Sequence, residues 1–98
     1  MNEEKRLCRT PTPGKQPTVI PEWKYEEVRR VIRRVVPRDP PGIPAKDLPE
    51  IVRSELSAEV KAELGSITWH TTTVKLEMEV AGELARVPGR KPQHLVRP

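Results

Sequence analysis

The chain has 98 residues, with 18 Lys plus Arg against 14 Asp plus Glu, one cysteine and no phenylalanine. One cysteine excludes an internal disulfide and a cysteine-built metal cage, and no apolar run approaches the ~18 residues of a membrane span. What remains is one small domain with a modest aliphatic core and a formal charge of +4, which permits a nucleic-acid partner without requiring one.

The chain has 12 prolines, clustered before residue 50 apart from Pro88, Pro92 and Pro98. Pro11, Pro13, Gly14 and Pro17 deny the first residues regular hydrogen bonding, and little there is apolar. Residues 1–17 therefore read as a flexible tail and residues 18–98 as the folded domain. Cys8 falls in that tail as an unpaired thiol. The opening residues lack the apolar stretch of a signal peptide, so a cytoplasmic location is expected.

Thr18 to Ile20 suits a short extended segment, because Pro21 biases Ile20 away from helix. Pro21 can open a helix, since the first helical position has no N–H partner to lose. Val28, Val31, Ile32, Val35 and Val36 then fall on one apolar stripe, and Pro37, Pro40 and Pro41 end it. Ile43 suits a short strand. A second helix should start near Ala45, with Pro49 in its first turn and Leu48, Ile51, Val52 and Leu56 facing inward. Ser57 can cap a third short helix through Leu64, with Gly65 as its stop.

From Ser66 or Thr68 the pattern carries two periods. Val74, Leu76, Met78 and Val80 alternate with Lys75, Glu77 and Glu79, as in a strand. Residue propensities and a glycine stop at Gly82 favour helix instead. A helix here has two apolar faces, so it is packed on both sides or helps to form a dimer. Leu84 to Val87 and Gln93 to Val96 read as two strands joined by a loop, Pro88 to Pro92.

Trp69, Thr73-Val74-Lys75-Leu76, Gly82 and the following Leu84-Ala85-Arg86 resemble the third helix and first wing strand of bacterial winged helix-turn-helix proteins. With Pro13-Gly14-Lys15 and Lys91-Pro92 added, the chain is also similar to a family of short bacterial proteins without an established activity. The resemblance implies an α+β fold: a small winged helix-turn-helix domain of three to four helices and a C-terminal β-hairpin wing, after a flexible N-terminal tail. It implies DNA as the partner by analogy, with a protein-interaction or dimerisation module on the same scaffold as the alternative. Glu77, Glu79 and Glu83 depart from that pattern, since a helix that reads DNA is expected to be polar and basic outside.

The candidate DNA contacts are Thr68, Thr71, Thr72 and Lys75 on the third-helix front and Arg86, Arg90 and Lys91 on the wing. Thr71 and Lys75 are expected outward, opposite a Trp69 anchored in the core. The wing also reads as a soluble hairpin whose charges discourage edge pairing. Arg29, Arg30, Arg33 and Arg34 form a basic face that is either free for anions or paired with Glu26 and Glu27. His70 and His94 lack metal-ligand spacing, and no nucleophile, paired carboxylates or phosphate loop stands out. No enzymatic activity, cofactor, metal or small-molecule ligand is expected. The expected partners are DNA and a second copy of the chain.

Overall fold

The computed structural model describes residues 4–98. It is an α+β arrangement of four helices and two small antiparallel sheets. Strands β1 (Lys5–Cys8) and β2 (Thr18–Pro21) form the first sheet, with Arg6 opposite Ile20 and Leu7 opposite Val19. Helix α1 (Glu22–Val35) follows directly. A short strand β3 (Ile43–Pro44) and a single 3-10 turn (Ala45–Asp47) lead into α2 (Leu48–Glu55), then α3 (Ala58–Leu64) and α4 (Ile67–Val80). Strands β4 (Ala85–Arg86) and β5 (His94–Val96) close the chain as a hairpin, with β5 between β3 and β4.

The helix boundaries follow local chemistry. Pro21 ends β2 and precedes the first helical residue by one position, so α1 starts at Glu22. Ser57 and Ser66 accept hydrogen bonds from the backbone N–H of Val60 and Trp69, at 3.2 and 3.1 Å, each satisfying a donor that the helix start leaves unpaired. At the other end of α4, Glu83 N–H donates to the Met78 carbonyl and Gly82 N–H to that of Glu79. This closure needs a left-handed residue, which Gly82 supplies at φ 81.

Residues 71–80 are helical, and the strand-like alternation is explained by packing on two sides. One face of α4, with Ile67, Val74 and Met78, is buried in the core with Val28, Val31 and Ile32 of α1 and Leu48 and Val52 of α2. β1 packs against α4 as well. Burial on both sides requires apolar residues around more than one stripe, which blurs the helical period.

The tail expected over residues 1–17 does not hold at Lys5–Cys8, and residues 1–3 of it lie outside the described residues. Lys5–Cys8 is a strand, Cys8 is buried, and the Arg6 guanidinium lies 4.2 Å from the centre of the Tyr25 ring. Glu4, just before β1, provides the carbonyl that accepts from Glu22 N–H at 2.8 Å at the start of α1. The prolines that suggested disorder, Pro11, Pro13 and Pro17, all lie in the connection between the two strands, where a missing N–H costs nothing.

Burial, with the nearby Glu77 carboxylate adding to it, pushes the Cys8 thiol up to about 11. The thiolate is the reactive species. Native protein at pH 8 is therefore expected to react with iodoacetamide at least about tenfold more slowly than denatured protein. Equal rates would mean that the β1–β2 hairpin is open in solution. Among the described residues no helix is long and apolar enough to cross a membrane.

Candidate nucleic-acid interface

Helical geometry turns about 100° per residue, so Thr68, Thr72, Lys75 and Glu79 share one face of α4. Thr68 and Thr72 are exposed and Lys75 is half-buried. The Lys75 ammonium lies 2.9 Å from Glu79 Oε2 and 3.3 Å from the Gln93 side-chain amide, in the strand connection just before β5. Arg86 of β4 donates to Glu79 Oε1 at 2.6 Å. With its amide turned over, Gln93 accepts from Arg86 at 3.2 Å instead of from Lys75. In either orientation these four side chains tie the hairpin to the outer face of α4.

The predicted contacts therefore divide. Thr68 and Thr72 stand on the surface of α4. Lys75 and Arg86 reach the same region, but Glu79 compensates one of their two charges. Arg90 and Lys91 lie exposed in the β4–β5 connection, with no hydrogen bond or ion pair among the described residues. Thr71 does not belong with them. It is only 1% exposed and faces inward with His70, Val74 and Met78. The expectation that it points outward used Trp69 as the inward reference, and Trp69 is itself 46% exposed, packed edge-on against the His70 ring. Residues 69 and 71 are about 200° apart on the helix, so exposing the first buries the second.

The three glutamates that weakened the DNA reading are each held by an arginine from another element. Arg9 donates to Glu77 from its backbone N–H, Nε and Nη2 at 2.7, 2.9 and 2.6 Å. Arg29 donates to Glu83 at 2.8 Å, and Arg86 covers Glu79. The hydrogen bonds from Arg9 hold the Glu77 carboxyl below its ordinary range, against the opposing effect of burial. Spread over ion pairs of this kind, the acidity of α4 is neutralised internally.

The same contacts use up the arginine face of α1. Arg29 and Arg30 pair with Glu26 and Glu27, Arg34 with Glu55, and Arg33 approaches Glu83 at 4.0 Å. The basic face of α1 is thus paired with acids of its own helix, of α2 and of the segment after α4, whereas Arg90 and Lys91 of the hairpin have no acidic partner among the described residues.

The histidines serve local structure. His70 Nδ1–H donates to the Ser66 carbonyl at 2.7 Å, and burial pushes the pKa of the ring down. His94 Nδ1 makes the equivalent contact to the Pro92 carbonyl. Among the described residues no group of three His, Cys, Asp or Glu side chains could hold a metal ion.

Two residues of this surface escaped the sequence reading. Lys46, in the 3-10 turn, lines a pocket with Thr72 and Lys75, and Gln93 bridges helix and hairpin. Glu79 was legible as an i,i+4 partner of Lys75; the positions of Lys46 and Gln93 depend on long-range contacts and carry no local signal.

Residues 5–95 match the model of a family of unknown function, DUF6958. The chain belongs to this family. The matched stretch begins at β1, so the N-terminal hairpin is part of what the family shares. No curated protein and no solved structure matches the chain.

Proposed function

We propose that this member of the DUF6958 family is a small DNA-binding protein of winged-helix build, with α4 as the groove-facing helix and the β4–β5 hairpin as the wing. The chain order supports the build: α1, a short strand, α2, α3, α4 and a hairpin whose last strand sits centrally in the sheet. The observation that carries the reading is the placement of Arg90 and Lys91. They are free cations on a hairpin that Glu79 and Gln93 anchor to the face of α4 that also carries the exposed Thr68 and Thr72. Hydroxyls on the helix and cations on the hairpin suit phosphate oxygens along a duplex, with limited readout of base edges. No catalytic role is part of this reading.

The test is fluorescence anisotropy of a labelled random-sequence duplex at two salt concentrations. Replacing Arg90 and Lys91 together with alanine is expected to weaken binding roughly ten- to thirtyfold at physiological salt and to reduce the salt slope by about 2. The loss should be uniform across sequences. Absence of binding at low salt overturns the proposal.

A second reading, a protein-interaction module, draws on exposed apolar side chains. Leu7 and Val19 are 51% and 55% exposed and stand opposite each other on the outer face of the first sheet. Self-association that is indifferent to salt, measured by sedimentation, would favour it over the duplex.

A further inference from the structure

We propose that the pocket between the start of α2 and the middle of α4 is a binding site for a small oxyanion of the phosphate class. The pocket measures about 230 Å³ and is lined by Lys46 and Pro49 on one side and by Thr71, Thr72 and Lys75 on the other. That is smaller than the usual range for whole small-molecule ligands, roughly 300–1,000 Å³, and it suits a phosphate head group.

The decisive side chain is Thr71. Its Oγ1 is buried and makes no hydrogen bond, although the residue lines this pocket. Buried hydroxyls in native proteins are nearly always satisfied, so a partner is expected on the pocket side. The chemistry of the lining selects that partner. Two threonines and two lysines are among the lining residues, and no carboxylate is. Glu79 compensates Lys75 from beyond the rim, while Lys46 makes no ion pair among the described residues. An oxyanion would accept from Thr71 and Thr72 and be neutralised by Lys46.

The site shares Thr72 and Lys75 with the proposed duplex-binding face but stands on its own geometry. Its phosphate could belong to a duplex backbone or to a free phosphate compound, and the two sources are separable. The full chain is titrated with inorganic phosphate at constant ionic strength, followed by amide chemical shifts. Saturable shifts at Thr71, Thr72 and Lys46 below about 20 mM are expected. Thr71→Val should weaken them about fivefold or more, the loss of one hydrogen bond, while its melting temperature stays at or above that of the native chain. Lys46→Ala should weaken them too, and Arg90→Ala with Lys91→Ala should leave them unchanged.

No saturation, an equal response to chloride, or unaltered phosphate binding by Thr71→Val overturns the proposal. Where phosphate binds, a competition with the labelled duplex assigns its source. Displacement of the duplex, with weaker duplex binding by Thr71→Val, supports a backbone phosphate; phosphate binding without displacement supports a free ligand. If the duplex does not bind at all and phosphate does, the duplex reading fails and the pocket stands.

Discussion

Gly42→Ala is expected to destabilise the chain by more than about 3 kcal/mol, well beyond the ordinary cost of a single substitution. Gly42 ends a turn in which its N–H donates to the Asp39 carbonyl at 3.0 Å, and its φ is 70. Any other L-residue is disfavoured there. The larger effect is contact. A Cβ at this position would run into the Leu95 carbonyl oxygen and come within 2.8 Å of Val96 Cγ1. Neither the turn nor β5 yields easily, because Ile43 pairs with Leu95 one residue later and Leu95 is fully buried. The substitution would therefore separate β3 from β5 and loosen the hairpin that carries Arg90 and Lys91. A thermal melt should show a fall on the order of 15 °C, together with weaker duplex binding. A melting temperature within about 2 °C of the native chain would refute the close approach of β3 and β5.

Glu77→Ala is expected to cost about 2–3 kcal/mol at pH 7, the value of charge-assisted hydrogen bonds to a buried carboxylate. Glu77 is only 4% exposed, and it is the anchor through which Arg9 fixes the N-terminal hairpin to α4. Arg9 itself is half-exposed and recovers solvent on losing its partner, which keeps the cost below that of stripping a fully buried pair. Glu77→Gln retains an acceptor and should lose less.

The pH dependence has a definite sign. The folded pKa of Glu77 is depressed below its unfolded value near 4.3. Its contribution is thus complete above about pH 4.3 and is lost as pH falls through the folded value. In urea unfolding, the gap between the native chain and Glu77→Gln should be constant from pH 7 to about pH 5 and shrink toward pH 3. A gap that does not change down to pH 3 would mean that Glu77 is not held as a carboxylate by Arg9. Cys8 supplies an independent readout, since release of β1 in Glu77→Ala should speed its alkylation.

Local signals were sufficient wherever a short stretch of chain decides its own conformation. The valine stripe of α1, the serine cap of α3, the glycine closure after α4 and the short strand at Ile43 all depend on residues within about a turn of one another. The helix over residues 71–80 lay at the edge of this range. Its propensities favoured helix, while burial from two directions gave it the alternation of a strand.

The candidate site was legible in part for the same reason. Thr68, Thr72, Arg90 and Lys91 are exposed, as their polar surroundings suggest. Thr71 and Trp69 exchanged environments, because the inward direction of a helix apolar on two sides is set by what packs against it. β1 offered a single buried thiol among charged residues, too little apolar content for a pattern to register, yet β2, Tyr25 and Glu77 all meet it.

The sequence by itself determined where helices start and stop, because caps, glycine closures and apolar periods are short-range preferences of the backbone and its neighbouring side chains. It also determined the supply of cations. Which of them are free was decided only by the tertiary structure. Arg9, Arg29 and Arg86 reach acids on α4 or just beyond it across separations of 68, 54 and 7 residues. Uncompensated cations remain at several places, Lys46 in the 3-10 turn and Arg90 and Lys91 on the hairpin among them, and distance in space, which the packed core sets, decides which these are.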